Sequence, residues 1–306
     1  MIRAGQALVA VSLAAAVAGS AAAADVERGA RLFARSCAAC HGTSGKGDGP
    51  GARQLDPRPR DLTTRQYRYR STPTGSLPLP ADLERTIRDG LPGTSMPGYG
   101  ELFSSDQLDD LIAFVYSLQP AAVLEDPLPA PLAIGPLPEA TPERIRDGHA
   151  LYLLSGCATC HDVRGRGKGP SARTLVDESE RPIRPPDLRH DPLERGRDPE
   201  DVVRILRTGL NGAPMPSYDD AMLIARGDVS DVAGFTDDPD VRTMLEDFLR
   251  SSPTREEIDA MSESDRAALR DGRLAALAYY VLSLGRRQGA CYWLFVERPE
   301  REPRSR

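Results

Sequence analysis

Apolar positions fall at helical spacing in segments that mirror one another along the chain. Val26, Gly29, Ala30 and Phe33 lie at i, i+3, i+4 and i+7, one face of a helix, and Gly148 and Tyr152 repeat the Gly29 and Phe33 pair. Leu108, Leu111, Ile112 and Val115 form a second stripe behind Ser104-Ser105-Asp106-Gln107, a capping-box start, and Leu274, Leu277, Ala278 and Val281 repeat that stripe. Between them, Asp82 to Leu91 matches Asp201 to Leu210 at an offset of 119 residues. Gly90 and Gly209 stand where a C-terminal glycine stops a helix and releases the chain into a loop. The pattern predicts an all-α chain in which one unit is built twice.

The remaining segments break that period. Residues 1–24 carry Arg3, an apolar run from Ala7 to Ala18 broken only by Ser12, and small residues ending in Ala22-Ala23-Ala24 before Asp25. This is the order of a secretory signal peptide, and the apolar run is shorter than the ~20 residues of a membrane span. The mature chain is therefore expected to begin near Asp25 in an exported compartment, with membrane association only through a partner or an uncleaved signal. Residues 119–142 hold seven prolines and read as a stiff linker. Its Leu124, Leu128, Leu132, Ile134 and Leu137 suggest that it lies against protein. Spacing from Met215 to Leu284 exceeds that from Met96 to Leu118, so the second unit has gained an insert at about 219–264. The insert has thirteen acids against four arginines, a net of −9 in a chain of net −6, which marks it as a candidate docking surface. An acidic chain argues against bulk binding to nucleic acid. Aromatic residues, at 5%, are few for two modest cores, which points to a cofactor filling the interior.

Four of the five cysteines stand in Cys37-Ala38-Ala39-Cys40-His41 and Cys157-Ala158-Thr159-Cys160-His161. C-x-x-C-H is the pattern of c-type haem attachment, in which two thiols add across two vinyl groups and the adjacent histidine faces the iron. Half of a zinc site or a thiol redox pair fits one copy of the motif, but not two copies with matching distant methionines. Gly45 to Pro50 matches Gly165 to Pro170, and these glycines would let a backbone carbonyl reach the second ring nitrogen of each histidine. Met96-Pro97 and Met215-Pro216 follow at 55 and 54 residues from their histidines, as candidate thioether ligands. Arg65, Arg68 and Arg70, alternating with Tyr67 and Tyr69, suit a clamp on cofactor carboxylates. Met222, Met244 and Met261 read as packing residues, His149 and His190 as surface or supporting groups, and Cys291 as a buried thiol or a dimer-forming one.

Together these motifs resemble the tandem dihaem class I c-type cytochromes of bacterial periplasms. The resemblance implies two cytochrome c domains, at 25–118 and 143–306, around two covalently bound haem c groups. It implies attachment at Cys37, Cys40, Cys157 and Cys160, iron ligation by His41 with Met96 and by His161 with Met215, and crossing of the first and last helices through Phe33 and Tyr152. It also implies a periplasmic carrier, not an enzyme, that relays single electrons between a donor and an acceptor such as a dehydrogenase, an oxidase or another cytochrome. A dihaem peroxidase and a cytochrome subunit of a dehydrogenase complex are the alternatives. Asp162, where the first unit has Gly42, and the acidic insert depart from the family pattern.

Overall fold

The computed structural model describes residues 24–124 and 127–286; the signal-like segment before residue 24 and Cys291 lie outside it. Among the described residues the regular structure is helical, with three isolated bridges and no strands. The helices of the first half are α1 (Val26–Ser36), α2 (Ala38–His41), α3 (Pro80–Asp89) and α4 (Ser105–Ser117). A short α5 (Ala121–Leu124) enters the linker. The second half repeats the set as α6 (Pro142–Leu154), α7 (Cys157–His161) and α8 (Pro199–Thr208), adds α9 (Pro239–Ser251) and α10 (Arg255–Ala260), and closes with α11 (Glu263–Arg286).

Local chemistry sets these boundaries. Asp25 caps α1 by accepting from the Arg28 amide, and Ser104 and Gln107 form the expected capping box of α4. Pro80 and Pro199 open α3 and α8, where a missing N–H costs nothing, and Gly90 and Gly209 end them at positive φ. The stripe of α4 is buried throughout. That of α1 is displaced from the sequence expectation: Val26 is exposed, and Leu32 joins Gly29 and Phe33 on the inner face.

In each half the first and last helices cross with backbone touching backbone. A Cβ on Gly29 would lie 2.0 Å from the Asp110 carbonyl oxygen, and one on Gly148 would lie 2.0 Å from that of Ala276. Phe33 packs on Phe114 with ring centroids 5.0 Å apart, and Tyr152 meets Tyr280 edge to face at 5.3 Å. Beside the first crossing, buried Asp110 accepts from the Asp25 amide at 2.7 Å and from Arg28 at 2.6 and 2.9 Å.

The insert packs on its own half. Met222, Met244, Leu245, Phe248 and Leu249 are buried in one cluster with residues of α6 and α11. Arg273 of α11 pins it by donating to the Met222 and Ile224 carbonyls at 2.7 and 2.8 Å and to Ser252 Oγ at 2.9 Å, beneath the Phe248 ring. Met222 and Met244 are thus core residues, as the sequence suggested, whereas Met261 is half-buried. The linker is tied down from Leu132 onward, whereas Leu124 and Leu128, expected against protein, are exposed. Leu132 donates to the Ser71 carbonyl, Arg207 to Ala133 and Tyr279 to Pro138, while Ile134 and Leu137 pack on the second core.

Gly29→Val and Gly148→Val should each cost about 3 kcal/mol, since the obstructing atoms are helix backbone and cannot swing aside. Thermal melts of the assembled protein should fall by on the order of 10 °C for either. Gly135→Ala, where an added Cβ meets nothing within 4 Å, should melt like the parent.

Candidate functional site

Each C-x-x-C-H motif forms a single helical turn at the end of the first crossing helix. The Cys37 amide donates to the Phe33 carbonyl at 2.8 Å, and the Cys37 carbonyl then accepts from Cys40 and His41. The turn is thereby fixed to the helix that carries the crossing glycine. His41 Nδ1 lies 3.2 Å from the Arg60 carbonyl oxygen, and His161 Nδ1 lies 3.4 Å from that of Pro186. A carbonyl can only accept, so Nδ1 carries the proton and Nε2 keeps its lone pair for a ligand. Burial lowers the pKa of both rings and keeps them neutral.

The glycine loops make this approach possible, as the sequence suggested. A Cβ on Gly47 would stand 2.4 Å from the Pro59 carbonyl oxygen and 3.0 Å from that of Arg60, and one on Gly167 would stand 2.3 Å from that of Pro185. A side chain at either position would displace the peptide that holds the histidine.

The methionine loops close alike in both halves. Leu91 donates to the Met96 carbonyl at 3.0 Å and Leu210 to that of Met215 at 2.9 Å. Three residues on, Tyr99 donates to the Ser36 carbonyl at 3.0 Å, and Tyr218 packs against Cys157 in a side-chain contact. These tyrosines tie each methionine loop to its cysteine turn. Sequence reasoning passed over them, although Met-Pro-x-Tyr recurs in both units and carried the signal.

In the first half, Cys37, Cys40, His41 and Met96 line one cleft with Phe33, Leu83 and Tyr99. The cleft encloses about 1320 Å³, the open solvent at its mouth included. Arg60 and Arg68 also line it, and Arg60 Nη2 and Arg68 Nε are buried without a hydrogen-bond partner. Two thiols, a neutral imidazole, a thioether and two unmet guanidinium nitrogens suit a large metal macrocycle bearing carboxylates. In the second half, Met215, Cys157, Leu188 and Tyr218 share one apolar cluster beside His161. Among the described residues no three His, Cys, Asp or Glu side chains gather into a metal cage. Burial pushes the Cys37 thiol up to about 11.

The arginine-tyrosine cluster is divided between two tasks. Arg68 faces the cleft as expected. Arg70, expected to clamp a cofactor carboxylate, points the other way and donates to the Thr208 carbonyl at 2.6 Å. That carbonyl belongs to the C-terminal end of α8, where unpaired carbonyls and the helix dipole favour a cation. The Arg65 side chain does not line the cleft, and its carbonyl accepts from Asn211 at 3.2 Å. Arg60, which the sequence reading omitted, takes the second place at the cleft.

Asp162 is explained by an exchange within the repeat. In the first half a Cβ on Gly42 would fall 2.0 Å from Asp48 Oδ1, so the Asp48 carboxylate already fills the space beside residue 42. The position matching Asp48 is Lys168, and the second half brings its carboxylate from Asp162 instead. Asp162 adopts φ 60° and accepts from the Arg164 amide at 2.6 Å and from Arg166 Nε at 2.7 Å.

Comparison with known proteins adds two family matches and one structure. Residues 26–119 match the model described as Cytochrome c, and residues 143–235 match Cytochrome C oxidase, cbb3-type, subunit III. A chain of the Kuenenia stuttgartiensis reducing HAO-like protein complex Kustc0457/Kustc0458 superposes with a TM-score of 0.66 at 29% identity. The match covers 85% of this chain and 96% of that one. No curated protein sequence matches.

Asp162→Gly should destabilise the protein by about 1 kcal/mol, the lost hydrogen bonds outweighing the relief of positive φ. Adding Lys168→Asp recreates the arrangement of the first half and should recover most of that loss. Denaturant titration of the single and double variants checks this, and an equal or larger loss in the double variant would reject the exchange.

Proposed function

Because the chain is a tandem c-type cytochrome of class I domains, we propose that it is a dihaem carrier of single electrons. Cytochrome c domains imply covalently bound haem c, whose iron exchanges one electron without making or breaking a substrate bond. The domains are assigned to 25–118 and 143–306, with 119–142 as the linker between them. Cys37 and Cys40 hold one haem and Cys157 and Cys160 the other. His41 with Met96, and His161 with Met215, supply the iron ligands. The Arg60 and Pro186 carbonyls orient the two histidines, and Arg60 and Arg68 meet the carboxylates of the first haem.

The observation that carries this reading is the cleft in which both cysteines, the histidine and the methionine of the first half converge beside two unmet guanidinium nitrogens. The matching loops of the second half extend it to the second site. Closed His/Met coordination suits electron exchange, whereas a peroxidase needs an iron position open to peroxide and an acid-base group beside it. A site of action in the periplasm is supported by the signal-like segment at 1–24, and no described helix is long and apolar enough to cross a membrane. The donor and acceptor are proteins. The match to a chain from a complex of two proteins favours a standing place beside a protein partner over free diffusion.

Protein matured in a host that attaches haem c should carry two haems in a denaturing intact-mass measurement, and Cys157→Ala/Cys160→Ala should carry one. Met215→Ala should open one haem to carbon monoxide or imidazole and remove one ligated-methionine methyl signal from the reduced-state NMR spectrum. If a folded Met215→Ala protein keeps its spectrum and ligand binding unchanged, another residue holds that position.

A further inference from the structure

The two sites differ at the residue whose carbonyl orients the histidine: Arg60 in the first, Pro186 in the second. Proline offers no side-chain donor. The Arg60 guanidinium, by contrast, leaves its own half. Nη1 donates to the Gly212 carbonyl at 3.2 Å and pairs with Glu178. Gly212 lies in the loop between Gly209 and Met215, at φ +71°. A Cβ there would stand 2.6 Å from both Arg60 Nη1 and Glu178 Oε2, so the loop is shaped around this ion pair. The neighbouring Asn211 is also held from the first half, by the Gly75 amide and the Arg65 carbonyl, each at 3.2 Å. One residue therefore touches the histidine side of the first site and the methionine side of the second.

We propose that Arg60 is a positioning residue that couples the two redox sites, so that its side chain, though it belongs to the first half, sets the potential of the second. This rests on the reading that His41/Met96 and His161/Met215 each hold a haem. The Arg60 peptide fixes the His41 ring while its guanidinium braces the Met215 loop. Loss of an electron at either site adds a positive charge that this cation opposes, which raises the potential of both. Coupling between the sites is reciprocal: the loss of an electron at either one shifts the potential of the other by the same amount.

The test is a potentiometric titration of the holoprotein, with each wave assigned by the NMR methyl signal of its ligated methionine. Arg60→Gln keeps the carbonyl and removes the cation. It should lower both potentials, the second by about fivefold or more in its one-electron equilibrium constant. Arg58→Gln removes another cation that lines the same cleft and should move the first potential alone. Glu178→Gln, on the second half, should raise both, and it decides the question if Arg60→Gln fails to fold. A second potential unmoved in Arg60→Gln, or moved equally by Arg58→Gln, overturns the coupling and leaves the dihaem reading intact. Wild-type protein lacking two covalent haems, or either methionine signal, overturns both.

Discussion

Each half hangs on the point where its first and last helices touch without side chains between them. Gly29 and Gly148 admit the carbonyl of the opposite helix, and everything that builds the site is measured from that contact. The cysteine turn continues the first crossing helix, so its direction is set by the crossing. The last helix then seats the glycine loop: a Cβ on Gly45 would lie 2.6 Å from Leu118 Cδ1, and one on Gly165 would lie 2.7 Å from Leu284 Cδ1. That loop in turn admits the peptide that orients the histidine. The order is covalent and steric before it is electrostatic, and two units of different sequence repeat it, with Gly156 added at φ 78° ahead of the second cysteine turn.

The two halves meet through charge and backbone. Arg85 of α3 pairs with both carboxylate oxygens of Asp201 on α8, and Arg195 donates to Thr86. Arg70 and Thr74 both reach the Thr208 carbonyl at the end of α8. Pro192 lies against Gly93 in one methionine loop, and Arg60 holds Gly212 in the other. Contacts between domains of one chain commonly permit motion. Here each donor would exchange a protein acceptor for water on separation, at about 0.5–1.5 kcal/mol, and the contacts acting together select one arrangement over its neighbours. Glu194 of the second half lines the cleft of the first, held by Tyr69 and Arg68. The mouth of the first site thus opens onto the second half.

Much of each half was legible because its determinants are local and repeated. Helix periods, capping residues, the cysteine turns and the glycines that stop α3 and α8 all lie within a few residues of what they control. The Gly42/Asp48 and Asp162/Lys168 exchange was legible too, to a reading that aligned the loops position by position. The interface was not. Arg85 and Asp201 stand 116 residues apart, and nothing near either one distinguishes it from a solvated charge. Arg70 shows the same limit: an arginine beside tyrosines suits a carboxylate, yet the carbonyls of α8 claimed it, and only the tertiary arrangement brings that helix end near. The insert's packing was hidden for a related reason, since its acidity reports its exposed face while Leu245 and Phe248 carry its contacts.

An arrangement fixed by these contacts should make the distance between the two sites a constant of the molecule. Pulse reduction of one haem, followed optically as the electron equilibrates with the other, measures this directly. The account predicts a single first-order exchange whose rate is independent of protein concentration and of solvent viscosity. A rate that falls as viscosity rises would show that the halves must move before the electron crosses, and a rate proportional to protein concentration would show that it crosses between molecules.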